Sequence, residues 1–310
     1  MSVLDVFGDD ARRDEPGAAP PPSPSPSPAE TATAPARRGR GTWPPALLAG
    51  SVLFGVIATL LLLAPWLAPY PPAQQDLVAR LEGSSAAHLL GTDHLGRDVL
   101  SRLLDGGRFS LAVASVTLLI CAVTGTLVGF VVARRGGWLD TVVMRVTDIL
   151  LAFPEMVVAL FLVAILGTGD LTLVLALTIG GWTPFCRLAR GVALEINGRD
   201  FIEAAHALGC SGWFIIRRHL LPNALPPLLA HAAVRFGHKL ITVGALSFLG
   251  LGVQPPFSDW GSMLSEAIPY LDRLPMLVLA PGAAIFIAAL SVTLAGRGLE
   301  TRRARAGRST

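Results

Sequence analysis

The sequence predicts an all-α, polytopic transmembrane helical bundle, and two observations support that prediction. The 310 residues are 52% hydrophobic and only 15% charged, with a mean hydropathy of +0.57, which is too little polar surface for an ordinary soluble domain. The apolar residues also gather into continuous runs of about 20 residues, the length that a helix needs to cross the hydrocarbon. There are about six such runs, at residues 46–68, 109–133, 146–166, 171–189, 224–252 and 276–296.

Arginine is distributed unevenly between the two sides of this bundle. Short cytoplasmic loops carry an excess of Lys and Arg. If the N-terminus is inside, sixteen arginines lie in inner segments and five lie in outer ones. With an even number of spans, the asymmetry predicts a multi-pass protein of the cell membrane with both termini cytoplasmic. The pI of about 9.1 then reflects topology and attraction to anionic lipid, and no nucleic-acid binding is predicted.

Composition divides the chain into four parts. Residues 1–42 contain a proline and serine run and predict a disordered cytoplasmic tail. Residues 43–108 hold the first transmembrane helix and an extracytoplasmic segment; the first apolar run is longer than a signal-peptide core, so it is predicted to be a retained anchor. Residues 109–298 form the main transmembrane domain, and residues 299–310 form a basic cytoplasmic tail.

Several chemistries are disfavoured by the residues themselves. Lys239 is the only lysine, and its neighbours are His238 and Leu240, so no P-loop can form. There is no GxSxG elbow and no HExxH helix, and the three cysteines have no spacing that suggests a metal knuckle. We therefore predict no catalytic residues, no metal site and no cofactor; if ATP powers this protein, another chain must bind the nucleotide.

A polar segment before the second span forms two faces at helical spacing. Residues 91–104 place Leu95, Val99 and other apolar residues on one face and charged residues on the other. Asp98 and Arg102 are four residues apart, close enough to pair on a helix. From the residues alone, this pattern predicts an interfacial helix that leads into the membrane. A metal at His88, Asp93 and His94 is a weaker alternative, since no further ligand stands at useful spacing.

A second polar segment, residues 200–222, lies between long apolar runs. Asp200 can cap a helix and Glu203 can complete a capping box. Gly209 tolerates the positive φ that ends a helix, and Ser211 can cap a second helix that runs toward Pro222. The predicted product is a helix–turn–helix on the inner membrane surface, although a plain amphipathic loop at the headgroup layer also suits these residues.

These segments resemble the membrane-spanning subunits of binding-protein-dependent ABC importers, and within them the dipeptide, oligopeptide and nickel group. The family's cytoplasmic signature is matched at Glu203, Ala204, Ala205, Gly209, Leu221 and Pro222, while its isoleucine position is occupied by His219. Further matching motifs, in order, are Gly91-Thr92-Asp93, Leu95-Gly96-Arg97-Asp98, Asp148 to Pro154, Leu246 to Gly252, Gln254-Pro255-Pro256 and Trp260-Gly261. The resemblance covers about residues 45 to 300.

The resemblance implies a type I ABC importer permease fold and a definite set of partners. The segment from Glu203 to Pro222 would be the coupling loop, which docks into a groove on a cytoplasmic ATPase. The partners would be two cytoplasmic ATP-binding subunits, a second homologous permease and an extracytoplasmic solute-binding protein. The implied substrates are di- or oligopeptides, with nickel or a metal chelate as the alternative. Because this family often carries a glutamate where Val243 stands, ordinary peptide specificity does not follow automatically.

The fifth predicted span carries an unusual basic stripe. His231, Arg235, His238 and Lys239 fall nearly on one face of an otherwise apolar helix, where charges are costly unless they meet a polar cavity or a partner. One interpretation is that they snorkel or pair with Glu155 or Asp148 elsewhere in the bundle. The other is that they line the translocation path and attract substrate carboxylates.

Two other classes of protein remain open from the residues. A secondary transporter or channel would suit the basic stripe and would depend on an ion gradient rather than on an ATPase. A membrane-embedded enzyme would have to use Asp148, Glu155 and the intramembrane histidines as acid and base groups, without any nucleophile or metal constellation to support it.

Overall fold

The computed structural model describes residues 44–307, apart from the side chains of residues 206 and 303–307. The predicted tail over residues 1–42 therefore lies outside the described residues. Helices α1 to α12 are Pro45–Leu62, Ala64–Leu67, Val99–Arg135, Gly137–Ala152, Glu155–Leu166, Asp170–Gly181, Thr183–Asn197, Asp200–Ala207, Gly212–Ile215, Leu221–Phe248, Trp260–Ala267 and Met276–Gly307. A π turn, Ile216–Leu220, joins α9 to α10, and a 3₁₀ turn, Ile268–Tyr270, follows α11.

The all-α prediction is confirmed, but the observed helices differ from the predicted windows in number and in continuity. Within residues 44–307, four helical segments are long and apolar enough to cross a membrane, namely α1, α3, α12 and the pair α6–α7 taken together as Asp170–Asn197, or five if the bent pair α4–α5 counts as one span. The fifth predicted window, residues 224–252, corresponds to α10, which is long enough but too interrupted by polar residues to be counted among them. Helix α12 continues through most of the segment predicted as a basic tail.

Two of the predicted spans are broken near their middle. Helices α4 and α5 meet at 88° because Phe153, which precedes Pro154, is pushed out of the helical region. Between α6 and α7 the cause is Pro184, which has no N–H to donate to the carbonyl of Gly180. The Thr183 hydroxyl donates to that carbonyl instead, at 2.9 Å.

Glycines bring the helices of this bundle into close contact. A Cβ on Gly129 of α3 would lie 2.5 Å from the Cys186 carbonyl oxygen on α7, and a Cβ on Gly50 of α1 would lie 2.5 Å from the Ser291 carbonyl oxygen on α12. Membrane helices associate through such small residues because lipid gives them no hydrophobic drive to associate.

Replacing Gly50 with Val is expected to push α1 away from α12 and to lower the thermal stability of the purified protein, since overpacking costs about 1–3 kcal/mol. Gly55→Val on the same helix is the matched control, because a Cβ there meets nothing within 4 Å. Thermal unfolding in detergent checks the prediction, and equal melting temperatures for the two variants would contradict it.

The start of α3 corrects the interfacial helix predicted over residues 91–104. The helix begins only at Val99, and the preceding residues form a turn in which Gly91 and Gly96 have positive φ. Asp98 is the N-cap and accepts a hydrogen bond from the Ser101 N–H at 2.8 Å. The expected pairing of Asp98 with Arg102 is wrong, because Asp98 pairs with His88 while Arg102 pairs with Asp93 and Glu266.

Candidate coupling segment and translocation path

Residues 200–220 form a helix–turn–helix, as predicted. Helix α8 ends in a turn where Gly209 has φ +74° and the Cys210 N–H donates to the Ala205 carbonyl at 3.1 Å, the bond of a Schellman motif. Ser211 then caps α9 by accepting a hydrogen bond from the Phe214 N–H. The positive φ explains why a glycine stands at the turn.

The segment has one buried face and one exposed face. Ile202, Ala205 and Ile215 are buried and pack in a hydrophobic cluster with α3 and α7. Glu203, Ala204 and Gly209 are exposed, and Leu208 at the tip is 83% exposed. Of the residues expected to contact another protein, Glu203, Ala204 and Gly209 are therefore uncovered, whereas Ala205 is corrected to a buried packing residue.

Arg134, at the end of α3, supports the turn from the side of the bundle. A Cβ on Gly212 would overlap its guanidinium group. The first residue of α9 must therefore be small for Arg134 to lie against the segment.

Two details of the predicted segment are corrected. Asp200 is the first residue of α8 rather than its cap, and the Ile202 N–H donates to the Arg199 carbonyl at 2.9 Å. The second helix does not stop at Leu221 and Pro222, which lie in the first turn of α10. Leu220 and Leu221 keep helical backbone angles and the Leu221 N–H donates to the Ile216 carbonyl, so the segment is continuous with the long helix through the π turn.

The basic stripe on α10 converges on one carboxylate. Lys239 is fully buried; its Nζ pairs with the Glu155 carboxylate and donates to the Leu177 carbonyl at 2.8 Å. Arg235 Nη2 and His238 Nε2 lie 3.8 and 3.9 Å from Glu155 Oε2. The pairing with Glu155 that the sequence allowed is therefore observed.

The other residues considered with the stripe lie apart from this cluster. His231 makes an edge contact with the Phe185 ring, with centroids 5.0 Å apart. Asp148 pairs with Arg187 of α7 and does not join the stripe.

The cluster lies where the broken helices meet. Glu155 is the first residue of α5, and a Cβ on Gly181, the last residue of α6, would overlap Lys239 Nζ. Glu155 is about 17 Å of helix from the end of α5, and Lys239 about 14 Å from the end of α10, at a rise of 1.5 Å per residue. Each distance is about half of the thickness of a hydrocarbon core, which is about 30 Å.

A second network of charged side chains lies at the end of the bundle opposite the helix–turn–helix. Arg97 donates to Asp93 Oδ2 and Glu266 Oε2, both at 2.6 Å, and Arg102 pairs with the same two carboxylates. Asp93, Arg97 and Arg102 are buried. Burial raises the pKa of Asp93, but Arg102 and Arg97 and the backbone N–H donors outweigh it and hold the pKa below its usual 3.8.

This network favours ion pairing over metal binding. In residues 44–307, Asp93, His94 and Glu266 offer ligand atoms within 4.8 Å of one another. The carboxylates of Asp93 and Glu266 already pair with buried guanidinium groups, whose positive charge disfavours the binding of a cation. His88, the other metal candidate, pairs with Asp98 at 2.9 Å instead.

Sequence reasoning missed Glu266 and Gly181. Glu266 lies more than 160 residues from its arginine partners, and nothing in its local pattern indicates a partner. Gly181 follows Gly180 at the end of an apolar run; that pair was the available signal for a close approach.

A helical membrane bundle that presents a helix–turn–helix at one end, in a chain without a P-loop, has the architecture of a transporter permease subunit. The chain belongs to the family described as binding-protein-dependent transport system inner membrane component, whose model matches residues 125–305. A second model, described as the N-terminal transmembrane domain of oligopeptide transport permease C, matches residues 45–83.

Curated relatives support the same family. The chain is 39% identical over 255 residues to a glutathione transport system permease protein of Pectobacterium atrosepticum, covering 82% of this chain and 84% of the relative. It is 37% identical to a di/tripeptide transport system permease protein of Pseudomonas aeruginosa, over 81% of this chain and 85% of that one. It is 34% identical to a nickel transport system permease protein of Escherichia coli, over 80% and 90%.

A solved structure shares the fold. A chain of the inward-facing methionine ABC transporter MetNI aligns with a TM-score of 0.54 and 23% identity, covering 66% of this chain and 96% of that one. The permease is thus a multi-pass membrane protein with the fold of an ABC importer subunit.

Proposed function

We propose that this permease imports di- or oligopeptides and is driven by ATPases that dock on the helix–turn–helix of residues 200–220. The observation that carries the proposal is the division of that segment into a buried face anchored on α3 and α7 and an exposed face at Glu203, Ala204 and Gly209. A surface packed against two spanning helices can transmit a movement of its partner to the bundle.

The proposed assembly contains four kinds of chain. Two cytoplasmic ATP-binding subunits hydrolyse ATP, a second homologous permease completes the path, and an extracytoplasmic solute-binding protein delivers the substrate. Both termini lie in the cytoplasm, which the arginine distribution supports. Closure of the two ATPases would rock the paired permeases between inward-facing and outward-facing states.

The basic stripe is proposed to line the translocation path. The exposed fraction of the side chains is 0% for Lys239, 22% for Arg235 and 54% for His238. One side of the stripe therefore lies on the surface of this chain, within the membrane-spanning part of the bundle. Charges there are stable only beside a polar cavity or a protein partner. A path shared with the second permease meets that condition, and its positive charge suits a peptide carboxylate.

The proposal is tested by ATP hydrolysis in vesicles that contain this permease with its partner subunits. Peptides, glutathione and nickel chelates are added with the binding protein, and we expect peptides to stimulate hydrolysis. If a nickel chelate stimulates hydrolysis and peptides do not, the substrate is a metal chelate rather than a peptide. Solute flux driven by an ion gradient without any ATPase would overturn the proposal in favour of a secondary transporter.

A further inference from the structure

The cluster at Glu155 carries more positive than negative charge. Lys239 and Arg235 contribute two cations, and in the described part of the chain Glu155 is the only carboxylate within salt-bridge distance of either. The pairing is also unequal, since Lys239 contacts Glu155 directly while Arg235 Nη2 remains 3.8 Å away. One glutamate therefore serves two cations and leaves one positive charge in excess.

The excess cation also has an unsatisfied donor. Arg235 Nε is buried and, among residues 44–307, has no hydrogen-bond partner. A buried N–H without an acceptor costs about 1–3 kcal/mol. The stripe is thus short of acceptors, which a carboxylate supplies.

The position of Glu155 suits a movable group. It is the first residue after the 88° break, in the first turn of α5, where an anion is favoured by the positive end of the helix. Its side chain is 15% exposed, between buried Lys239 and the more open Arg235. It therefore stands between the fully buried cation and the open side of the stripe.

We propose that the Glu155 carboxylate is a built-in counter-ion that a substrate carboxylate displaces from Arg235 and Lys239 during translocation. Glu155 keeps the cations paired while the path is empty, and it re-forms the pairs and releases the solute as it leaves. This inference rests on the proposed function, because it assumes that the stripe lines the path.

The test compares uptake of alanyl-alanine and of its C-terminal amide by vesicles that hold the complete importer with saturating binding protein. The preference of the binding protein cancels when permease variants are compared, because that protein stays the same. In Glu155→Gln the free acid is held by unopposed cations and released slowly. We expect its maximal uptake rate to fall about tenfold relative to that of the amide, the change that a moderate difference in binding gives.

Three further variants distinguish this role from a structural ion pair. Glu155→Asp keeps the charge and should restore the ratio of the two rates, and Glu155→Gln combined with Lys239→Met should move the ratio back toward wild type by removing one cation. Glu82→Gln, at an exposed position in the outer segment, is the matched control and should leave the ratio unchanged.

The outcomes separate the inference from the proposed function. Equal loss of both rates in Glu155→Gln, with an unchanged ratio, would overturn the counter-ion role while leaving a peptide importer. A wild-type importer that takes up neither solute would overturn the peptide function and the inference with it.

Discussion

Replacing Gly209 with Asp is expected to leave the protein folded in the membrane and to uncouple ATP hydrolysis from uptake. A Cβ at Gly209 meets nothing within 4 Å, and Asp is among the residues that tolerate a positive φ. The cost to folding should therefore be about 1–2 kcal/mol. The new carboxylate stands on the exposed face between Leu208 and Cys210, where the ATPase is proposed to dock.

Uptake and ATP hydrolysis measured in the same vesicles check this prediction. We expect uptake to fall by about tenfold or more, while hydrolysis continues and no longer responds to substrate. Gly167→Asp is the matched control: Gly167 is exposed, has φ +87° and has nothing within 4 Å of its Cβ, but it lies in the turn between α5 and α6. Normal uptake with Gly209→Asp would contradict the coupling role.

Replacing Asp93 with Asn should destabilise the end of the bundle that lies opposite the helix–turn–helix. Arg97 and Arg102 are 4% and 2% exposed, and both pair with Asp93. Removing one partner of a buried ion pair costs about 3–5 kcal/mol because it leaves charge uncompensated. Glu266 still faces both arginines, so we expect about 3 kcal/mol, which corresponds to a fall in melting temperature of roughly 6 °C or more.

Acid should reproduce part of this effect in the wild-type protein. Because the pKa of Asp93 is lower in the folded protein than its usual 3.8, its ionisation contributes stability that is present above pH 3.8 and is lost as the pH falls through the folded value. Asp93→Asn should lack this component. Asp105→Asn is the control, since among the described residues Asp105 forms only an exposed pair with Arg108 at 3.7 Å; equal melting temperatures for the two variants would contradict the network's role.

The helical bundle and the coupling segment were predictable because each depends on local pattern. Apolar runs of membrane length fix the helices, and a helix–turn–helix needs only a glycine that accepts positive φ and a serine that caps, which Gly209 and Ser211 supply. Their predicted roles in the fold are confirmed. The docking of an ATPase on Glu203, Ala204 and Gly209 stays a prediction.

The long-range chemistry was harder to predict. Whether Glu155 or Asp148 meets the basic stripe depends on how α4, α5 and α10 are arranged around a proline break, and the sequence left both open. Glu266 accepts from Arg97 and Arg102 across more than 160 residues, with no periodic signal to indicate it. Pairing over such distances is decided by packing of whole helices rather than by any local motif.

The most direct test of the central claim is a photo-crosslink from residue 208, which is 83% exposed at the tip of the helix–turn–helix. Leu208→benzoylphenylalanine in the assembled complex should crosslink to an ATP-binding subunit, with a yield that changes when ATP is added. The same replacement at Leu249, which is 51% exposed at the far end of α10, should give no ATPase crosslink. Failure of residue 208 to reach an ATPase, or equal crosslinking from both positions, would contradict the proposal that this helix–turn–helix couples ATP hydrolysis to transport.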